Sequence, residues 1–226
     1  MVKWQTVRHQ VAIAGRLTEA GPGKPIGGAL VSIKSEDGMP AAFKSLLEAR
    51  SMQYGNAWIA MSDRPDRTRT AADGLFYFLD LPDGDYTLMA SLANMGKRYG
   101  TAQATVTVAR KDDGDYKRVF LDLALQATTV RGKISGTSHK NGVAMAEVRM
   151  KGSGERTFSD GQGHYVLAGI EPVKPTDGAS AGGRPAISER TVLVFAQGYR
   201  PASKLVALNE AGALKTLNFE LVREGG

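Results

Sequence analysis

Cysteine is missing from all 226 residues, which excludes disulfide scaffolds, thiolate nucleophiles and cysteine-ligated zinc or iron–sulfur sites. Histidine is scarce: His9, His139 and His164 are the whole set. His9 precedes the first apolar run, His139 sits in a turn-like Ser-His-Lys-Asn-Gly segment, and His164 alternates out of register with the apolar Tyr165. No nucleophile, base and orienting group are gathered by spacing. Long apolar runs are also lacking. None approaches the roughly 18 residues that span a bilayer, and the opening MVKWQTVRHQVAIAGRL has no long apolar core before a small-residue cleavage site. The expectation is a chain with no membrane span and no evident signal peptide, in a cytoplasmic setting or an intracellularly assembled complex. Neither sign of charge dominates, with 29 Lys and Arg against 23 Asp and Glu for a net +6. The bases are interspersed with acids, so nucleic acid is not an expected partner. Asp80, Asp83 and Asp85 cluster at one turn and Asp112, Asp113 and Asp115 at another, without the loop spacing and closing glutamate of a calcium hand. No catalytic residue, cofactor or metal ligand is expected, and the chain reads as a non-enzyme.

What is present is a repeat built of short alternating strands. The first half runs VAIAGRLTEAGPGKPIGGALVSI, ADGLFYFLDLPDGDYTLMASL, TAQATVTV and YKRVFLDLAL; the second runs TTVRGKISGTSHKNGVAMAEVRM, SDGQGHYVLAGI, RTVLVFAQGY, SKLVAL and LKTLNFELV. Both pass through the same order of strands separated by Gly, Pro, Asp or Asn turns. Period-2 alternation puts Val11, Ile13, Leu17, Ala29, Val31, Ile33, Phe76, Phe78, Leu81, Val119, Leu121, Leu123 and Leu125 in a first sandwich core. Val130, Ile134, Val148, Met150, Tyr165, Leu167, Ile170, Leu217, Phe219 and Leu221 fill the second. The expected domains are 8–125, with an insertion at 35–69, and 128–224, with a loop insertion at 171–190.

The first insertion contains Pro40 through Arg50, where Phe43, Leu46 and Leu47 share one helical side and Pro40 suits the first turn. A short helix covering an end or edge of the first sandwich is expected, followed by a strand or contact loop over Tyr54–Met61. The second insertion, rich in Pro, Gly, Ser and Ala, reads as a loop.

The segments Gly74-Leu75-Phe76-Tyr77-Phe78-Leu79-Asp80-Leu81-Pro82-Asp83-Gly84-Asp85-Tyr86 and Asp160-Gly161-Gln162-Gly163-His164-Tyr165-Val166-Leu167-Ala168-Gly169-Ile170 resemble the central signature of carboxypeptidase regulatory-like domains. The resemblance extends to the Gly15 and Gly132 strands, to Gly28-Ala29-Leu30-Val31 and Val143 through Val148, and to the Ala196-Gln197-Gly198-Tyr199 turn. It implies an all-β chain of two tandem immunoglobulin-like, transthyretin-like (prealbumin-like) Greek-key β-sandwiches, with a short helical insertion in the first. It also implies a non-catalytic accessory, surface or structural role, and it transfers no catalytic residues.

Two surfaces stand out as candidates for interaction. In the first half Ala12 and Ala14, with Leu75, Tyr77 and Leu79, populate the face opposite the core, an unusually apolar surface. In the second half Arg131 and Lys133 share one outward register and Arg149 and Lys151 another, and as neighbouring strands they would form one basic face. These features favour a structural or protein-interaction adaptor working with a protein partner or a larger assembly. The alternative is a carbohydrate-binding accessory module, in which Trp58, Tyr54 or Tyr77 supplies an exposed stacking surface for a polysaccharide.

Overall fold

The computed structural model describes residues 9–34, 39–61, 64–112, 114–117, 119–137, 141–173 and 189–225. The chain divides into two compact units, residues 1–94 with 101–125, and residues 95–100 with 126–226. The first contains β1 (Val11–Glu19), β2 (Leu30–Ile33), α1 (Ala41–Tyr54), α2 (Ala57–Ala60), β3 (Arg67–Arg69), β4 (Leu75–Leu79), β5 (Gly84–Ser91), β6 (Ala102–Val108) and β7 (Val119–Leu125). The second contains β8 (Thr129–Gly136), β9 (Glu147–Met150), β10 (Arg156–Phe158), β11 (His164–Ala168), β12 (Glu189–Phe195), β13 (Ala202–Ala207), β14 (Leu214–Thr216) and β15 (Phe219–Leu221).

Each unit is a β-sandwich, and the two have the same strand order. The sheets are β4-β1-β7 and β3-β2-β5-β6 in the first unit, and β11-β8-β14 and β10-β9-β12-β13 in the second, where β15 also pairs with β8. In both, the opening strand is antiparallel to the fourth and parallel to the last. Alternation along these strands sends Ile13, Leu17, Ala29, Val31, Phe76, Phe78, Leu123 and Leu125 inward in the first unit. One contiguous core in the second joins Val130 and Ile134 to Val148, Met150, Tyr165, Leu167, Val192, Val194, Phe219 and Leu221. Each such aliphatic or aromatic side chain contributes roughly 1.5–3 kcal/mol when fully buried.

Two devices recur in both sandwiches. The first is a glycine in the opening strand that faces an aromatic residue: Gly15 pairs with Phe76 and Gly132 with Tyr165. A Cβ on Gly15 would lie 2.2 Å from the Leu121 carbonyl oxygen and 2.3 Å from the Phe76 ring, and one on Gly132 would lie 2.0 Å from the Leu217 oxygen. No side chain fits there without parting the parallel strands. The second device is a buried hydroxyl. Thr70 Oγ1 accepts the Ala29 N–H (3.0 Å) and donates to the Ile26 carbonyl (2.7 Å). Ser159 Oγ accepts the Ala146 N–H (2.9 Å) and donates to the Val143 carbonyl (2.6 Å). Each hydroxyl satisfies two backbone groups ahead of the second strand that the ladder leaves unpaired.

The structure departs from the sequence reading at several points along the chain. Val11 is exposed and Ala12 is buried, the reverse of the alternation, because the register shifts between Val11 and Ile13. The extra residue is a β-bulge, which turns every residue before it to the other face. The inserted helix runs on to Tyr54, ending where Gly55 takes φ 54°, and Pro40 stands at the N-cap instead of within the first turn. Phe43 alone is fully buried on it, edge-on to Tyr86 with centroids 5.6 Å apart. Residues 57–60, expected as strand or loop, form α2. Glu189 and Arg190, expected within the second insertion, open β12, and most of that insertion (174–188) lies outside the described residues, as does His139.

Gly132→Ala is expected to lower stability by about 3 kcal/mol, at the upper end for overpacked sites. Gly154→Ala, where a Cβ meets nothing within 4 Å, should change it by less than about 0.5 kcal/mol. Urea unfolding of both variants measures the difference.

Candidate interaction surface

The outer face of the β4-β1-β7 sheet is apolar across all three strands. Register sets Val11 beside Leu79, and Ala14 between Tyr77 on β4 and Phe120 on β7. Val11 is 46% exposed, Tyr77 46%, Leu79 47% and Phe120 62%, while Leu75 and Ala14 are half-buried. Of the residues expected here, Ala12 is lost to the core through the bulge, and the same bulge adds Val11. Phe120 was the residue the sequence reading passed over, although its outward parity in Val119-Phe120-Leu121-Asp122-Leu123 signals it. The apolar patch gives way to charge two residues further along the same strands, where Arg16 on β1 stands opposite Asp122 on β7.

A groove of about 750 Å³ adjoins this face on the β4 side, lined by Tyr77, Leu79 and Asp80 and by Leu46, Arg50 and Tyr54 of α1. His9 Nδ1 contacts the Asp80 carboxylate at its end, and the Gln10 N–H donates to Asp80 at 2.8 Å. Burial pushes the Asp80 carboxyl up, but the Gln10 N–H, His9 and Arg110 outweigh it and hold the group below the ordinary carboxylate range. Asp80 also has φ 54°, a conformation that aspartate tolerates better than most residues.

Trp58 is not an exposed platform. It is 7% exposed, with Tyr54 stacked on it (centroids 6.2 Å apart, planes at 12°) and the Arg64 guanidinium 4.1 Å from its ring centroid. Arg64 is held in turn by Asp66, with Nε–O and Nη2–O distances of 2.8 and 2.5 Å. The indole serves as the anchor that pins α2 and the end of α1, a role consistent with the amphipathic character of both rings. Of the rings expected to stack on a polysaccharide, Trp58 is therefore enclosed within the insertion, while Tyr54 and Tyr77 are 39% and 46% exposed.

Arg131, Lys133, Arg149 and Lys151, expected to share a basic face in the second unit, are all exposed, but they do not form one face. Arg131 and Lys133 lie on β8, whose partners are β11, β14 and β15; Arg149 and Lys151 lie on or just beyond β9, whose partners are β10 and β12. The sandwich places β8 and β9 in different sheets, so the pairs look outward from opposite sides. Arg149 also lies over the Phe195 ring at 4.4 Å. The turn carboxylates are engaged locally: Asp83 accepts the Arg110 N–H at 3.1 Å and Asp85 accepts the Thr107 hydroxyl at 2.5 Å. Among the described residues no three His, Asp or Glu side chains converge as a metal would require.

These features define a class: an all-β protein of two tandem Greek-key sandwiches with a helical insertion in the first. No family model matches the chain, and no curated protein matches its sequence. Similar solved structures include the shaft pilin SpaA from Lactobacillus rhamnosus GG, at 14% identity and TM-score 0.40, covering 98% of this chain and 99% of that one. They also include the minor pilin GBS52 of Streptococcus agalactiae, at 14% identity and TM-score 0.31, covering 95% and 96%. The Bacillus anthracis TIE protein is similar at 13% identity and TM-score 0.39, covering 93% of this chain, which spans about a third (34%) of that protein. These are loose likenesses and assign no role. The intracellular setting expected from the sequence is withdrawn as a correction, since two of these similar structures are pilins.

Trp58→Ala should loosen the insertion by about 2 kcal/mol and so speed limited proteolysis within residues 41–61 roughly thirtyfold, since cleavage follows the opening equilibrium. Mass mapping of the fragments checks this, with the β-strands of the first sandwich expected to remain uncut.

Proposed function

We propose that this chain is a non-catalytic assembly component that docks another protein through the first sandwich. The observation that supports it most is the exposed apolar face of Val11, Tyr77, Leu79 and Phe120, contiguous by register across three strands. Singly scattered apolar side chains are ordinary on a protein surface, whereas a joined patch marks an interaction site. In this reading both halves are carboxypeptidase regulatory-like modules whose signature residues build turns and core, and the differences between the halves supply the function. The second half serves as a scaffold, its outward Arg131, Lys133, Arg149 and Lys151 dispersed over two faces. The carbohydrate-binding alternative has no comparable support, since Trp58 is enclosed by Tyr54 and Arg64.

The test places a photo-cross-linking residue at position 120 and, separately, at the exposed Lys215 of the second unit, in the native host. One reproducible protein adduct at position 120, absent at 215 and lost when Tyr77 and Leu79 are both changed to Ser, is the expected result. Adducts that are equal at both positions, or that survive the double change, would contradict the reading.

A further inference from the structure

The groove beside β4 has a property that the flat face lacks: one of its walls is the unpaired edge of a sheet. β4 ends the order β4-β1-β7. The Leu17 N–H donates to the Gly74 carbonyl at 2.9 Å and the Asp80 N–H to the Gln10 carbonyl at 3.0 Å. Antiparallel pairing alternates, so Phe76 and Phe78, like Gly74 and Asp80, turn their backbone groups toward β1. Tyr77 and Leu79 therefore turn their N–H and C=O groups away from it, toward the open edge, and among the described residues none of these four groups has a hydrogen-bond partner. Such an edge is a template for an added strand.

The opposite wall has a definite charge. The groove's own carboxylate, Asp80, is already matched by His9 and the Gln10 N–H. Arg50, exposed on α1, pairs with no carboxylate among the described residues. Arg67 donates through Nη2 to the Ile59 carbonyl at 3.0 Å, while its Nε is buried with no acceptor. Arg50 and Arg67 thus line the groove without a carboxylate partner among the described residues, whereas Arg64, also in its lining, is matched by Asp66; Leu46 and Tyr54 supply apolar surface beside them. An extended occupant finds main-chain partners on one side and unmatched positive charge on the other.

We infer that the groove between β4 and α1 takes up an extended segment of a partner protein in which apolar residues alternate with Asp or Glu, added as a strand to the free edge of β4. This rests on the protein-docking reading above and narrows it to a location and a ligand chemistry. The backbone groups of Tyr77 and Leu79 supply affinity without sequence preference, Leu46 and Tyr54 meet the apolar side chains, and Arg50 with Arg67 selects for acid. A second copy of this chain fits less well, because its net charge is +6.

The experiment pans a displayed library of random 12-residue peptides on the full chain and then measures the enriched peptides in solution by fluorescence anisotropy. Enriched sequences should alternate apolar residues with Asp or Glu. Their affinity should fall about tenfold on Arg50→Glu, an exposed change on the helix surface, and fall further with rising salt. Tyr77→Pro should also weaken binding, since it removes an N–H that points to the open edge and spares the bonds to β1; circular dichroism verifies its fold. Lys215→Glu should have no effect. No enrichment, or enrichment of basic peptides, overturns the inference. So does concentration-dependent dimerisation lost on Arg50→Glu, which would make a second copy the occupant. Peptide binding that ignores Arg50→Glu but is lost on Phe120→Ser overturns it as well, while leaving the flat face as the docking surface.

Discussion

Each sandwich depends on its opening strand being held on both edges at once. β1 and β8 pair antiparallel with the fourth strand and parallel with the last, so the start and end of each module meet in one sheet. A backbone carbonyl, of Leu121 or Leu217, comes so close at Gly15 and Gly132 that no Cβ is admissible, and at Gly15 the Phe76 ring also fills the space a side chain would have taken. Closing the module in this way also orphans backbone groups where the chain crosses to the other sheet. A buried Thr70 or Ser159 hydroxyl, bonded both ways, restores them. Leaving such groups unsatisfied costs about 1–3 kcal/mol each, which explains why two halves with little side-chain identity keep the same latch.

Much of this was legible in the sequence because strand alternation is local. The core residues from Ile13 to Leu125 and from Val130 to Leu221 follow from a period of two, and the repeat follows from the order of turns. What escaped reading was whatever depends on two strands together. The bulge at Ala12 adds one residue that no pattern marks, and it exchanges the fates of Val11 and Ala12. Arg131 and Arg149 looked like neighbours because β8 and β9 are consecutive in the chain, but the connection between these two crosses from one sheet to the other. Thr70 and Ser159 carried no signal, since a single hydroxyl in a turn has the same appearance whether it is exposed or bonded twice. Trp58 looked available because it lies in an insertion, yet its neighbours Tyr54 and Arg64 come from both sides of α2.

The same positions show how tightly the backbone is conserved between the halves. Gly28 has φ 74° and its counterpart Met145 has φ 56°; Gly169 has φ 72° and its counterpart Asp80 has φ 54°. The turn conformation persists where glycine does not, so the strand connections fix the path and the side chain accommodates it, at a cost of order 1 kcal/mol for a non-glycine residue. Individuality lies instead in the outer face of the first sandwich and in the helices beside β4. There the fold leaves apolar area, an open sheet edge and unmatched arginines, none of which the frame requires.

Hydrogen exchange of the backbone amides tests most directly the claim that one frame holds each half. The amides of Ala29 and Ala146, which donate to the buried hydroxyls, and those of Leu17 and Ile134, which donate to the Gly74 and Gly163 carbonyls at 2.9 and 2.8 Å, should exchange only by global opening of their own sandwich and be the slowest in it. Exchange of the Ala29 or Ala146 amide at the rate of the Met61 amide, at the exposed end of α2, would contradict the account.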